Sequence, residues 1–333
     1  MKKQGKPLAL LLALMLLCAT AFGCAKPAPA PAGGTEDVDM GIAGEAPDIA
    51  VEPPPIVVTD MAGREVVLAS PAGRIVALTA GDCEILYALG AGDRLVGRGA
   101  YCDWPAEVLE ISAVQSGSET NIEQIIALAP DLLIMTKMAQ SEEQVSQLEN
   151  AGIQVAVSDA QDIEGVYTAI RLIGALLGLM GRAEGLVANM QTAFADLGAK
   201  GGDGTKVVYF EVSPLEWGLW TAGSGTFMDE IITMLGYVNC FGDVTGWAEI
   251  SEEQVLSRNP DYIVTIAMYF GEGPTPAEEI AARPGWNVLA AVQNGAILNL
   301  QNNELSRPGP RLVDGARMMS EFFESIQACQ DAA

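Results

Sequence analysis

From Arg74 onward, short apolar runs alternate with longer stretches of helical periodicity. Arg74-Ile75-Val76-Ala77-Leu78 ends in Thr79-Ala80-Gly81-Asp82, and a helical pattern runs from Glu84 to Leu89. That order is a strand feeding a helix. Leu95-Val96-Gly97 predicts a second strand, which opens into a loop from Arg98 to Pro105. Helix, strand, helix and strand then follow over 122–128, 131–135, 142–150 and 153–157. Residues 162–200 keep helical spacing throughout, with a break expected near Gly181; the part beyond it would span about 27 Å. The alternation restarts with a strand over 206–211, helices over 226–235 and 252–256, and a strand over 262–266. A Pro-rich insert (271–276), a helix (277–282), a strand (296–300) and a final helix (311–326) complete it. Strands separated by helices imply parallel sheets with crossovers, whose ligands sit outside the C-terminal strand ends. In the first half that edge carries the loops 79–84, 98–105 and 115–121.

The pattern occurs twice. Asn121-Ile122-Glu123-Gln124 leads to Pro130-Asp131 and an apolar run; Ser251-Glu252-Glu253-Gln254 leads to Pro260-Asp261 and another. Glu123 and Glu253 are 130 positions apart, and each lies seven residues before its proline. Upstream, Glu84-Ile85 with Leu89-Gly90 is echoed by Glu230-Ile231 with Leu235-Gly236. Two similar α/β lobes are the simplest account, and a cleft between lobes is a common ligand site.

The ends add a location. Lys2, Lys3 and Lys6 precede an apolar stretch from Leu8 to Leu17, too short for a comfortable membrane span, so residues 1–23 read as a signal peptide. Ala21-Phe22-Gly23-Cys24 resembles a bacterial lipobox, in which the cysteine is lipidated and becomes the mature N-terminus. Residues 24–55 are dominated by Ala, Pro, Gly and acids and read as a flexible, lipid-anchored linker. Without the signal the chain carries 15 Lys and Arg against 43 Asp and Glu. That balance argues against nucleic acid and against direct adhesion to anionic lipid.

Histidine is absent, which excludes Ser-His and Cys-His catalytic pairs, imidazole metal sites and histidine ligation of haem. No Walker A, G-x-S-x-G or C-x-x-C sequence occurs, and the chain does not read as an enzyme. Cys83, Cys102, Cys240 and Cys329 remain after Cys24. Cys83 and Cys102 each follow a predicted strand. Adjacent strands would bring them close, either as a disulfide or as two buried free thiols.

Taken together, these segments resemble the substrate-binding proteins of the iron-siderophore, haem and vitamin B12 importers. The resemblance covers residues 56–328. It rests on Val58-Thr59-Asp60-Met61-Ala62-Gly63-Arg64-Glu65-Val66, on Tyr101-Cys102-Asp103-Trp104-Pro105, on the two Glu-Gln…Pro-Asp segments and on Arg307-Pro308-Gly309-Pro310-Arg311. It implies an α/β fold of two Rossmann-like lobes with mostly parallel sheets, residues 56–180 and 201–328, joined by one long rigid helix over 181–200. A ligand is then held between the lobes. Glu123 and Glu253 match the family's permease-docking glutamates. Tyr101, Trp220 and Trp247 match aromatics that line the cleft of B12-binding members, whereas Ser116-Gly117-Ser118 stands where those members carry a further tryptophan. Arg307 and Arg98 would suit an anionic ferric siderophore. The implied partners are an ABC permease dimer with its ATPase and a metal chelate or corrinoid. The protein would act as a monomer that touches the membrane only through its anchor, with no cofactor or metal site of its own. The reading from another class is a surface-anchored sensor or enzyme domain on the same fold.

Overall fold

The computed structural model describes residues 54–332, apart from 118–119, 138–141, 270 and 301–302. Cys24, the signal peptide and nearly all of the linker lie outside the described residues.

An antiparallel hairpin, β1 (Ile56–Thr59) with β2 (Glu65–Leu68), opens the fold. Its turn is held by Asp60, whose carboxylate accepts from the N–H groups of Ala62, Arg64 and Val157. Then follow β3 (Ile75–Ala77), α1 (Ala80–Ala88), β4 (Leu95–Gly99), β5 (Ala113–Val114), α2 (Ile122–Ala127), β6 (Leu132–Met135), α3 (Glu142–Asn150) and β7 (Gln154–Val157). The strands form one five-stranded parallel sheet in the order β5-β4-β3-β6-β7.

Two helices come next, α4 (Ile163–Leu176) and α5 (Met180–Gly198). The break falls at Gly178 (φ +68°), three residues before the expected position. A left-handed residue is needed to end α4, and glycine adopts that conformation without a Cβ clash. Gly181 instead lies inside α5. Gly174 serves packing: a Cβ there would stand 2.5 Å from the Cβ of Ala183, so α4 and α5 approach at their backbones.

The second half contains β8 (Val207–Glu211), β9 (Leu219–Ala222), α6 (Phe227–Met234), β10 (Val238–Asn239), β11 (Trp247–Ile250), α7 (Glu252–Arg258), β12 (Tyr262–Thr265), α8 (Pro276–Ala282), α9 (Ala290–Gln293), β13 (Ile297–Asn299) and α10 (Leu312–Asp331). Its main sheet is again parallel, in the order β10-β8-β12-β13. β4-β3-β6-β7 and β10-β8-β12-β13 are the same arrangement used twice.

The repeated Pro-Asp pairs have identical structural work. Asp131 accepts from the N–H groups of Gly73 and Arg74 just before β3, and Asp261 accepts from the N–H of Val207 and the ammonium of Lys206 at the start of β8. Each aspartate ties the beginning of one central strand to its neighbour. Gly90 and Gly236 both take positive φ where α1 and α6 end.

Both sheets are apolar on both faces. Ile75, Leu132, Ile134, Phe210, Tyr262 and Val264 belong to one buried cluster that also includes Ile170, Val187 and Phe323 of the long helices. The intervening residues Val76, Leu133 and Met135 pack on the first sheet's other face, and Tyr209 and Ile263 on the second's. This alternation within apolar runs is what strands covered by helices on both sides require. The inner faces of the two sheets therefore share a single core.

Candidate functional site

The C-terminal ends of β3, β6 and β7 meet the segment 306–308 around a pocket of about 220 Å³. Thr79 caps α1 there, accepting from Asp82 N–H at 3.3 Å, while Asp82's carboxylate bonds the hydroxyls of Thr79 and Ser158. Burial pushes the Asp82 carboxyl up to about 6, against the pull of those two hydroxyls.

Arg307 leaves this pocket toward the first half of the chain. Its guanidinium donates to Asp103 (2.6 Å), Glu84 (3.3 Å) and the carbonyl of Tyr101 (3.2 Å). Arg311 donates to Glu84 (3.4 Å) and to Glu304 (2.6 Å), and its guanidinium lies 4.3 Å from the ring centre of Trp104. Glu84, Glu304 and Arg311 are all buried. Burial raises the Glu84 carboxyl even though two arginines lower it. The two basic residues of the Arg-Pro-Gly-Pro-Arg segment thus clamp α1 and the 101–104 loop.

Arg98 also faces inward. Nε donates to the carbonyl of Ile111, and Nη1 to those of Cys102 (2.9 Å), Gly99 and Ala100. The arrangement has a geometric reason: a loop turning back on a strand end leaves carbonyls without partners, and a guanidinium satisfies several at once. Tyr101 stands clear of that loop, 82% exposed.

Two tryptophans of the second half, Trp220 and Trp247, lie on strands. β9 and β11 pair antiparallel, with Trp220 opposite Glu249 and Trp247 opposite Ala222, so alternation puts Trp220 and Trp247 on one face of the ribbon. Trp247 packs edge-on against Phe227 and donates to Gln161 across the molecule at 3.4 Å. Trp217, 76% exposed, ends a short 3₁₀ turn.

Trp217 lines a cavity of about 750 Å³ at the C-terminal ends of β8 and β12. Met268 and Tyr269 share that lining with Glu216, Glu272 and Glu279. Its back wall is fixed. Arg283 makes a two-pronged ion pair with Glu211 (2.7 and 2.8 Å), reaches Glu279, and lies over Trp286 at 4.6 Å. Burial raises the Glu211 carboxyl against the Arg283 contacts that lower it.

A periplasmic binding protein family model matches residues 75–304. The chain belongs to that family. Members of the periplasmic binding protein family are solute carriers, and this chain is a binding protein rather than an enzyme. It is 33% identical to the uncharacterised ABC transporter substrate-binding lipoprotein YvrC of Bacillus subtilis, over 80% of this chain and 85% of that one. It is 29% identical to the vitamin B12-binding protein of Salmonella typhimurium, over 77% and 91%. Among solved structures, the haem-binding protein HutB of Vibrio cholerae superposes with a TM-score of 0.69 at 25% identity, covering 75% of this chain and 98% of that one.

Set on the periplasmic binding protein fold, the expected residues divide into groups. Arg307 borders the smaller pocket; Tyr101, Trp220 and Trp247 line neither that pocket nor the 750 Å³ cavity. Trp217, in the same aromatic-rich stretch, borders the 750 Å³ cavity. Glu123 and Glu253 occupy matching positions, each exposed and each the second residue of a helix capped by Asn121 or Ser251. Hydrogen bonds to backbone N–H and to Ser251 lower the Glu253 carboxyl.

Proposed function

We propose that this chain is the lipid-anchored, extracytoplasmic substrate-binding protein of an ABC importer, and that its cargo is a large neutral or cationic metal chelate, foremost a corrinoid. One observation carries the choice of cargo. Arg98, Arg283, Arg307 and Arg311 are committed to carbonyls or carboxylates, while the 750 Å³ cavity combines Trp217, Met268 and Tyr269 with glutamates. An anionic ferric catecholate or a haem with its propionates would need a guanidinium fork there, and would meet carboxylates instead. A corrin bearing amide side chains asks for aromatic surface and tolerates acids. The B12-binding relatives support the same reading, and ferric hydroxamates without net negative charge fit it next best.

A thermal-shift and calorimetric screen of cyanocobalamin, cobinamide, a ferric hydroxamate, a ferric catecholate and haem tests the cargo. A corrinoid is expected to raise Tm in a concentration-dependent way. Tight binding of the catecholate or haem alone would overturn it.

The anchor is supported by the lipobox-like sequence at Cys24 and by the lipoprotein name of YvrC. Cys24→Ala should move the protein from the membrane to the soluble fraction. Unchanged retention removes the anchor from the proposal.

A further inference from the structure

The binding function leaves one pair of residues unused, Cys83 and Cys102. Cys83 lies in α1, just beyond the C-terminal end of β3, and Cys102 follows the neighbouring strand β4. The sheet register sets Ala77 beside Arg98. At the strand ends the two backbones stay together: a Cβ on Gly99 would fall 2.1 Å from the carbonyl oxygen of Leu78. Cys102 N–H then donates to Gly99 at 3.1 Å, turning the loop back toward α1. Cys83 Sγ lies 3.7 Å from the carbonyl of Ala77. Both cysteines are buried free thiols, and their side chains hydrogen-bond each other.

We propose that Cys83 and Cys102 are a disulfide pair, closed when the chain folds under oxidising conditions. One thiolate attacks a disulfide of a small-molecule or protein oxidant and expels a thiolate. The second cysteine thiolate attacks the resulting mixed disulfide and expels the other half. The protein loses two protons and two electrons, and the oxidant leaves as two thiols. The hydrogen bond to Cys102, followed by burial, raises the Cys83 thiol well above its ordinary value, so the folded, reduced protein offers little nucleophile. Exchange therefore belongs to the stage before the 99–105 loop closes over the pair. Once formed, the bond joins the loop that carries Tyr101, Asp103 and Trp104 to the helix that carries Asp82 and Glu84. The Arg307 clamp then grips one covalent unit. The inference rests on the export reading only for the supply of oxidant.

The test uses the full chain, unfolded in reductant and refolded in a mixture of oxidised and reduced glutathione. Free thiols are blocked in denaturant before digestion. The expected product is a linked peptide pair containing Cys83 and Cys102, lighter by two hydrogens than the separate peptides, with exposed Cys329 recovered in the alkylated form. Reductant should then lower the Tm of the refolded protein by on the order of 5 °C. The Cys83→Ser/Cys102→Ser double variant should show no such dependence. Quantitative alkylation of both cysteines after oxidative refolding overturns the pairing, as does a wild-type Tm that reductant leaves unmoved. A bridge that forms in glutathione, while the protein in its own cells is recovered from the cytoplasm with both cysteines reduced, upholds the pairing and overturns the export reading.

Discussion

Asp82 shows what a single residue at the strand ends can do. A carboxyl enclosed at the head of a helix is favoured by the helix dipole and by two hydroxyls, yet burial outweighs them and its pKa sits at about 6. The unfolded value is near 3.8, so the folded state binds the proton more tightly. Its stabilising effect is complete below pH ~4 and is lost as pH rises through about 6, leaving a buried carboxylate at neutral pH. Asp82→Asn should therefore be more stable than the parent at pH 7.5, by about 1–3 kcal/mol. The difference should shrink toward zero at pH 4. Urea unfolding at the two pH values measures it; equal differences at both would show that Asp82 titrates normally. The arginines teach a related lesson. Arg98 and Arg307 are legible in the sequence as cations near the ligand edge, but a sequence does not show which carbonyls and carboxylates surround them. Asp103 lies in the loop after Arg98 and Glu84 in α1, and both accept from the Arg307 guanidinium.

At the scale of elements, local pattern reached as far as pairing is local. The central strands β3, β6, β7, β8 and β12 lie in apolar runs of three or four residues, whereas the two-residue edge strands β5 and β10 do not, and the helices between carry their own signals: Asn121, Ser251 and Thr226 as caps, Gly90 and Gly236 as stops. The repeat at 130 positions was readable because Pro130-Asp131 and Pro260-Asp261 perform the same tie in each half. What escaped was the β9–β11 ribbon. Its strands are separated by a whole helix and β10, and Trp220 and Trp247 face out of a two-stranded piece with no apolar run to announce it. The β1–β2 hairpin escaped for a similar reason, since each strand is only four residues long, β1 alternating between half-buried and exposed and β2 between exposed and buried. Trp217 and the 750 Å³ cavity belong to connections after β8 and β12, and loop conformation is not encoded by periodicity at all.

For the whole molecule, the shared core fixes what a partner would meet. Val187 of α5, Phe210 of the second sheet and Ile134 of the first lie in one cluster, so the two halves cannot separate widely without exposing apolar surface. Glu123 and Glu253 are therefore carried at a fixed spacing, charged and exposed at the heads of matching helices. A partner with two-fold symmetry and basic loops suits such a pair, because each acid meets an equivalent cluster. The chain's net charge of −25 adds long-range attraction but no register. If these two acids give the register, Glu123→Arg and Glu253→Arg should each lower cargo uptake by proteoliposomes holding the permease and ATPase, by about tenfold, and the double variant by more. Cargo affinity should stay unchanged, since neither residue borders either cavity. Glu321→Arg, on an exposed position of α10, makes the same change in net charge and should leave uptake near the parent's. Raising salt should erase much of the difference between parent and variants. Uptake lowered as much by Glu321→Arg as by Glu123→Arg would mean that overall charge brings the protein to its transporter, and that the symmetric pair does not.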